Sequence, residues 1–253
     1  MIDLEIADGI ATLLLNRPPV NGMNDAWVAR FHEILDGFEN NDACKVILIR
    51  SALKLFSGGA DLKQIQERFA QPIERQLEAG RGYQALFARI ESLPQVTIAE
   101  MGGAALGGGL ELALACDLRI ASTRAKLGLP EVGLGLLPGA GGTQRLTRLC
   151  GRMVALRIIL GAETIGAAEA YRLGLVTWLV EDGEAATFAR ARAQHYASMP
   201  RQAVAAAKAA IAQALDPRVD GYALETEGVR ALLASPETQR RVQAFLSNVA
   251  EKK

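Results

Sequence analysis

One glutamate, Glu111, follows a run of three glycines in residues 105–117, ALGGGLELALACD. A helix that opens at these glycines presents unpaired N–H groups and the positive end of its dipole, which favour a developing anion. The helical neighbours of Glu111 are glycine, leucine and alanine, with no basic residue. Burial without a cation is expected to raise its pKa, as general acids and bases often require. The alternative is a glutamate that reaches water from the start of the helix.

A second glutamate, Glu131, is the only charged residue between Lys126 and Arg145. It lies in residues 127–146, LGLPEVGLGLLPGAGGTQRL, where Pro130 restricts the preceding residue and so helps to aim the carboxylate. The later glycine run predicts a loop that leads into another helix. Taken alone, Glu131 is more simply interpreted as a solvated loop residue.

A third segment, residues 56–63 with the sequence FSGGADLK, comes soon after an apolar run that predicts a buried strand. Its glycines allow a sharp turn and let backbone N–H groups point outward. The simpler interpretation is a strand-to-helix loop in which Asp61 caps the helix. Asp117, after the first segment, is expected to have a structural role, closing its helix or tying a neighbouring loop.

The usual motifs of several other chemistries are missing from the sequence. It contains no G-x-G-x-x-G, P-loop, H-E-x-x-H or G-x-S-x-G motif. The two histidines, His32 and His195, are predicted in amphipathic helices, so neither a histidine triad nor a metal cluster is expected. The chemistry is therefore expected to come from carboxylates, backbone amides or a cofactor.

Composition limits the class of protein further. The 253 residues are 50% apolar, and 28 basic residues balance 28 acidic ones. This favours a large core and offers no strong field for nucleic acid or an anionic membrane. The longest uncharged run, residues 132–144, has 13 residues and five glycines, against about 20 apolar residues for a membrane span. Three scattered cysteines, and no basic leader, lead us to expect a cytoplasmic protein.

Apolar patterning divides the chain into two regions. Strands and helices alternate up to about residue 180, which predicts an α/β domain with crossover connections. Alanine-rich helical stretches follow, at residues 185–198, 202–214 and 222–234, with a last helix after Ser235. We therefore predict a core over residues 1–182 and a C-terminal helical region over residues 183–253.

In their order and spacing, the three segments resemble the enoyl-CoA hydratase/isomerase (crotonase) superfamily, and the similarity extends over nearly the whole chain. The resemblance implies an α/β fold, a spiral of repeated ββα units with a C-terminal helical region for oligomerisation. It also implies a homotrimer or a dimer of trimers. Neither a metal nor a redox cofactor is implied, since coenzyme A is part of the substrate.

The resemblance also implies an activity, the reversible syn hydration of a 2-enoyl-CoA thioester to a 3-hydroxyacyl-CoA. Glu111 would activate the water and Glu131 would protonate the α-carbon. The amides of Ala60 and Gly108 would form the oxyanion hole. The residues that would contact the substrate are Ala60, Asp61, Leu62, Lys63, Gly108 and Gly139.

The sequence departs from the family pattern in two places, and three rival functions compete with hydration. Arg240 and Arg241 stand where many relatives carry an acidic residue and a glycine, and residues 69–82, where relatives set acyl specificity, match no pattern. The first rival is a double-bond isomerase, which often keeps only the carboxylate at the Glu131 position, so the presence of both favours hydration. The second is a different CoA-thioester lyase or dehydratase. The third is a non-catalytic acyl-CoA-binding or scaffold protein.

Overall fold

The computed structural model describes residues 1–38 and 41–250, and this part of the chain forms an α/β structure. Its strands are β1 (Ile2–Ala7), β2 (Ile10–Leu15), β3 (Val46–Ser51), β4 (Val96–Met101), β5 (Ala105–Leu106), β6 (Leu118–Ser122), β7 (Lys126–Gly128), β8 (Thr164–Gly166) and β9 (Trp178–Val180). Its α-helices are α1 (Asp25–Asp36), α2 (Leu62–Arg68), α3 (Ile73–Ser92), α4 (Gly108–Ala115), α5 (Gly142–Cys150), α6 (Arg152–Leu160), α7 (Ala167–Arg172), α8 (Ala185–Ala197), α9 (Arg201–Gln213), α10 (Gly221–Leu233) and α11 (Pro236–Ala250).

The larger sheet has six strands in the order β1-β2-β3-β4-β6-β9. Strands β1 and β2 form a hairpin, and Asp8 and Gly9 take positive φ angles in its two-residue turn, as turns of this kind require. The remaining pairs are parallel. Every residue of β4 is buried, as expected for a parallel strand covered on both faces.

A smaller sheet of β5, β7 and β8 brings the two glutamate segments together. Strand β5 leads directly into α4, and β7 leads into a 3-10 helix over Pro130–Leu134. Leu106 pairs with Gly128 in parallel register, so the chain leaves both strands at the same edge. This pairing places Glu111 and Glu131 near one another although 20 positions separate them in the sequence.

Helices packed on the sheet supply much of the core. Asn24 caps α1, accepting a hydrogen bond from the backbone N–H of Trp27. Trp27 and Phe31 are fully buried, with ring centroids 4.9 Å apart. Leu86 and Phe87 of α3 belong to the same cluster. Helix α4 is buried along its whole length, which fixes Glu111 within the rigid part of the molecule.

The predicted alanine-rich helices are confirmed as α8, α9 and α10, and α11 begins after Ser235. Helix α8 packs through Ala189 and Ala193 in the core on one side of the larger sheet. Helices α9 and α10 have no buried residue, and several large apolar side chains on the last three helices are exposed, among them Ile211, Tyr222, Leu233 and Phe245. The boundary at residue 182 stays a prediction, and residues 251–253 of the proposed helical region lie outside the described residues.

Candidate active site

A glycine turn starts helix α4. Gly107 has φ of 53°, a conformation that side-chain-bearing residues rarely adopt, and its carbonyl oxygen accepts hydrogen bonds from the N–H groups of Leu110 and Glu111. The helix begins at Gly108, within the run of three glycines. The amide of Gly108 is therefore one of the first-turn N–H groups that have no acceptor within their own helix.

A second backbone segment lies against this turn. Met23 donates its N–H to the carbonyl of Gly59, and Asp61 donates its N–H to the carbonyl of Met23. The amide of Ala60 therefore lies between two residues that are hydrogen-bonded to Met23. A Cβ atom on Gly108 would lie 3.6 Å from the Ala60 nitrogen, so the two amides are adjacent. Within residues 1–38 and 41–250, neither N–H donates a hydrogen bond. Two such donors can stabilise an oxyanion.

Glu111 is only 3% exposed, as its apolar neighbours predicted. Its Oε1 accepts hydrogen bonds from the N–H groups of Ala140 and Gly142, each at 2.8 Å. The pKa of Glu111 is raised to about 7, mainly by burial and also by the charge of Glu131, while the two amides lower it. The carboxyl is thus fixed in orientation and titrates near neutral pH, as a general base should.

Glu131 is held in the 3-10 helix, with Pro130 at the first position. A Cβ atom on Gly107 would lie 3.2 Å from Glu131 Oε1, so the carboxyl stands directly over the turn that starts α4. Its Oε2 is buried and has no hydrogen-bond partner among the described residues. Burial raises the pKa of Glu131 as well, because an unpaired buried carboxylate is unfavourable.

The loop that holds Glu111 is itself fixed from α3 and α5. Gln84 of α3 donates from Nε2 to the carbonyl of Gly139 at 2.8 Å, and Arg145 of α5 donates from Nη1 to the carbonyl of Ala140 at 3.0 Å. Sequence reasoning missed both residues. For Arg145 the sequence offered one indication, since this residue is the first cation after a long stretch without basic residues.

The predicted substrate segment, residues 60–63, lies at the start of α2. Asp61 caps that helix through the N–H of Lys63 and forms an ion pair with Arg17 at 2.5 Å, which lowers its pKa. The Asp61 side chain therefore caps the helix, as expected if residues 56–63 are a strand-to-helix loop. Leu62 is 63% exposed and Lys63 is also exposed. Gly139 is exposed next to the loop that holds Glu111. Substrate contact by these residues stays a prediction.

Comparison with known proteins identifies the family. A profile described as enoyl-CoA hydratase/isomerase matches residues 5–252. The chain belongs to this family. It is 36% identical over 250 residues to the short-chain-enoyl-CoA hydratase of Clostridium acetobutylicum, covering 96% of this chain and 93% of that protein. It is 35% identical over 248 residues to the crotonyl-CoA hydratase of Syntrophomonas wolfei, covering 97% and 94%.

A solved structure of the same family confirms the predicted fold. The crystal structure of enoyl-CoA hydratase from Bacillus anthracis is 34% identical, with a TM-score of 0.91, over 98% of this chain and 96% of that one. The α/β enoyl-CoA hydratase fold with a helical C-terminal region is therefore confirmed, as is the family resemblance.

Two kinds of feature are absent from the described part of the chain. No group of three or more histidine, cysteine, aspartate or glutamate side chains there could hold a metal ion. No helix of that part is both long and apolar enough to cross a membrane.

Proposed function

We propose that this chain catalyses the reversible syn addition of water across the double bond of a 2-enoyl-CoA thioester, which gives a 3-hydroxyacyl-CoA. One observation carries the proposal: the carboxyls of Glu111 and Glu131 interact at the start of α4, beside the adjacent amides of Ala60 and Gly108. Hydration of a conjugated thioester needs these two kinds of group, a base with an acid and a site for negative charge.

The two amides take the charge of the intermediate. The thioester carbonyl oxygen lies between the N–H groups of Ala60 and Gly108 and becomes an enolate oxygen when water adds to the β-carbon. Both donors belong to fixed backbone and need no reorganisation as the charge develops. A single donor of this kind is worth about 10²- to 10³-fold in rate.

The two glutamates move the protons. Glu111 takes one proton from the attacking water, whose oxygen forms the new bond to the β-carbon. The π electrons move onto the thioester oxygen, and the enolate then returns its electron pair to the α-carbon, which takes a proton from Glu131. Dehydration runs the same steps in reverse. Because both carboxyls act from one side of the substrate, hydrogen and hydroxyl add to the same face.

The surroundings of the two carboxyls prepare both for proton transfer. The two backbone N–H groups on Oε1 of Glu111 hold this carboxyl in place and leave Oε2 to accept the proton of water. Burial raises the pKa of both glutamates, and Oε2 of Glu131 has no partner among the described residues, so the pair can hold a proton near neutral pH. The carboxyls titrate as a coupled pair, and the singly protonated pair is the form that can hydrate the substrate.

The proposal extends to what the chain binds. We place the CoA part of the substrate along residues 60–63 and the reacting part of the acyl group beside Gly108 and Gly139. The reaction needs neither a metal nor a redox cofactor, since the substrate carries its own activating thioester. A cytoplasmic location, as predicted from composition, goes with this role.

Self-association as a homotrimer or a dimer of trimers forms part of the same proposal. The exposed apolar side chains of α9 to α11, among them Phe245 at 68% exposure, support it, since large apolar patches mark interfaces. Light scattering during gel filtration should give three or six times the 27.0 kDa chain mass. A monomer at micromolar concentration would contradict the assembly without touching the proposed chemistry.

The activity is tested by the loss of the conjugated-thioester absorbance when the purified protein meets crotonyl-CoA. Rapid loss with the natural chain, and a fall of at least ~10²-fold in Glu111→Gln and Glu131→Gln, is the expected result. Binding of the CoA ester without hydration would reject short-chain hydration and turn the search to isomerisation, which needs only one carboxyl. Failure to bind any CoA ester would favour a scaffold.

A further inference from the structure

Arg145 occupies a particular place behind the proposed base. Its guanidinium donates from Nη1 to the carbonyl of Ala140, whose own N–H donates to Glu111. A Cβ atom on Gly141 would lie 2.2 Å from Arg145 Nη1, and Gly141 has a φ of 105°. The guanidinium thus lies directly against the turn that carries both amide donors to Glu111.

The other side of this guanidinium is anchored on α3. Arg145 donates from Nε and Nη2 to Oε2 of Glu91, at 3.1 and 2.9 Å. The Arg145 side chain is nearly buried, while Glu91 is partly exposed. An arginine held by two donors to one carboxylate oxygen keeps a fixed orientation, which a lysine with its single nitrogen does not reproduce.

We infer that Arg145, anchored by Glu91, is a positioning residue for Glu111: it fixes the Ala140–Gly142 turn whose amides hold the carboxylate. This inference rests on the proposed function for its kinetic consequence but not for its geometry. Neither Arg145 nor Glu91 touches the reacting atoms. Their effect passes through the turn and through the positive charge of the guanidinium.

The charge of Arg145 allows a second, independent test of the inference, through the ionisation of Glu111. The charged groups that act on Glu111 are Glu131, which raises the pKa of Glu111, and Arg145, which lowers it. Loss of the arginine charge therefore moves the ionisation of Glu111 to higher pH. A residue that only supported the fold would change stability and leave this ionisation in place.

The test compares Arg145→Gln, Arg145→Lys, Glu91→Gln and the double variant Glu91→Gln/Arg145→Gln with crotonyl-CoA across pH 5 to 9. In Arg145→Gln we expect kcat to fall about 10- to 100-fold with little change in KM, since misplacing a catalytic group by about 1 Å costs this order of rate. The acid-side inflection of kcat/KM should move to higher pH. Arg145→Lys should lose kcat but keep the inflection.

Substitution of Glu91 distinguishes a positioning role of Arg145 from a local loss of fold. Glu91→Gln should lower kcat by less than Arg145→Gln and should not move the inflection upward. The double variant should be no slower than Arg145→Gln alone, because Glu91 acts through the arginine. Arg148→Gln, an exposed arginine on the same helix, serves as the matched control and should behave as the natural chain.

A difference titration separates this inference from the proposed activity. The infrared carboxylate band of Glu111, obtained by subtracting the spectrum of Glu111→Gln, reports its ionisation without any substrate. If no hydration is seen at all but this titration moves upward in Arg145→Gln, the proposed function fails and the positioning role stands. A folded Arg145→Gln with an unmoved titration, or with kcat within twofold of the natural chain, would overturn the inference. If Arg145→Gln does not fold, Arg145→Lys and Glu91→Gln decide through kcat, and values within twofold of the natural chain in both variants would overturn the inference.

Discussion

Replacing Glu111 by glutamine should make the protein more stable in base while abolishing its activity. The carboxyl has an ordinary pKa of 4.5 that burial raises to about 7 in the folded protein. The folded state therefore holds this proton more tightly than the unfolded chain. From about pH 4.5 to about pH 7 the folded state binds more protons, so the free energy of unfolding falls as pH rises.

The size of the effect follows from the two pKa values. Each pKa unit is equivalent to about 1.4 kcal/mol, so ionised Glu111 lowers the free energy of unfolding by about 3 kcal/mol above pH 7. Glutamine fits the same place, because its Oε1 can accept the hydrogen bonds from Ala140 and Gly142. In Glu111→Gln this pH dependence of the free energy of unfolding should thus be lost, while the loop that carries the Ala140 and Gly142 amides stays in place.

Urea unfolding at pH 5 and pH 8, at one protein concentration, measures the difference. The natural chain should lose about 3 kcal/mol more than Glu111→Gln between these pH values, and the variant should be at least ~10²-fold slower with crotonyl-CoA. Glu225→Gln, on the exposed side of α10, is the control and should follow the natural chain. If the free energy of unfolding depended on pH in the same way in the natural chain and in Glu111→Gln, the argument that burial of Glu111 lowers stability would be refuted.

Three further substitutions test other parts of the structure. In Gly142→Ala the new Cβ would stand 2.9 Å from Glu111 Oε1, so kcat should fall at least tenfold with KM little changed in steady-state assays. Lys208→Met removes hydrogen bonds to Asp117 at 2.7 Å and to a backbone carbonyl, and should cost about 1.5–3 kcal/mol, with faster hydrogen exchange in α9. Phe31→Ala empties a fully buried site and should cost about 3–5 kcal/mol in urea unfolding, with kcat of the folded fraction unchanged.

Much of the site could be predicted from the sequence because its chemistry depends on local rules. Three glycines can start a helix in a conformation closed to other residues, and Gly107 does so with positive φ. A glutamate among glycine, leucine and alanine has nowhere polar to point, and Glu111 is buried. Asp117 also has the predicted structural role, accepting hydrogen bonds from Thr97 and Lys208.

The features of the site that could not be predicted depend on contacts between segments that are distant in the sequence. Gln84 and Glu91 look like ordinary polar residues of an amphipathic helix, and only the packing of α3 beside the 138–142 loop gives them partners. The adjacency of the Ala60 and Gly108 amides likewise depends on the bridge between Ser57 and Ala105, which joins their two segments. Periodicity within one segment carries no information about such pairs. For the proposed oxyanion donors, the family resemblance supplied what local patterns could not.

The ionisation of Glu111 is a balance between opposing effects that come from different elements. Burial in α4 and the charge of Glu131 raise its pKa, while two loop amides and the charge of Arg145 lower it, and the result lies near neutrality. With the lowering contacts removed, the carboxyl would stay protonated and could not accept a proton from water. With the burial removed, it would be a weak base of ordinary pKa. A base that works at neutral pH therefore requires the buried helix and the anchored loop together, which is why the loop contacts matter as much as the carboxyl itself.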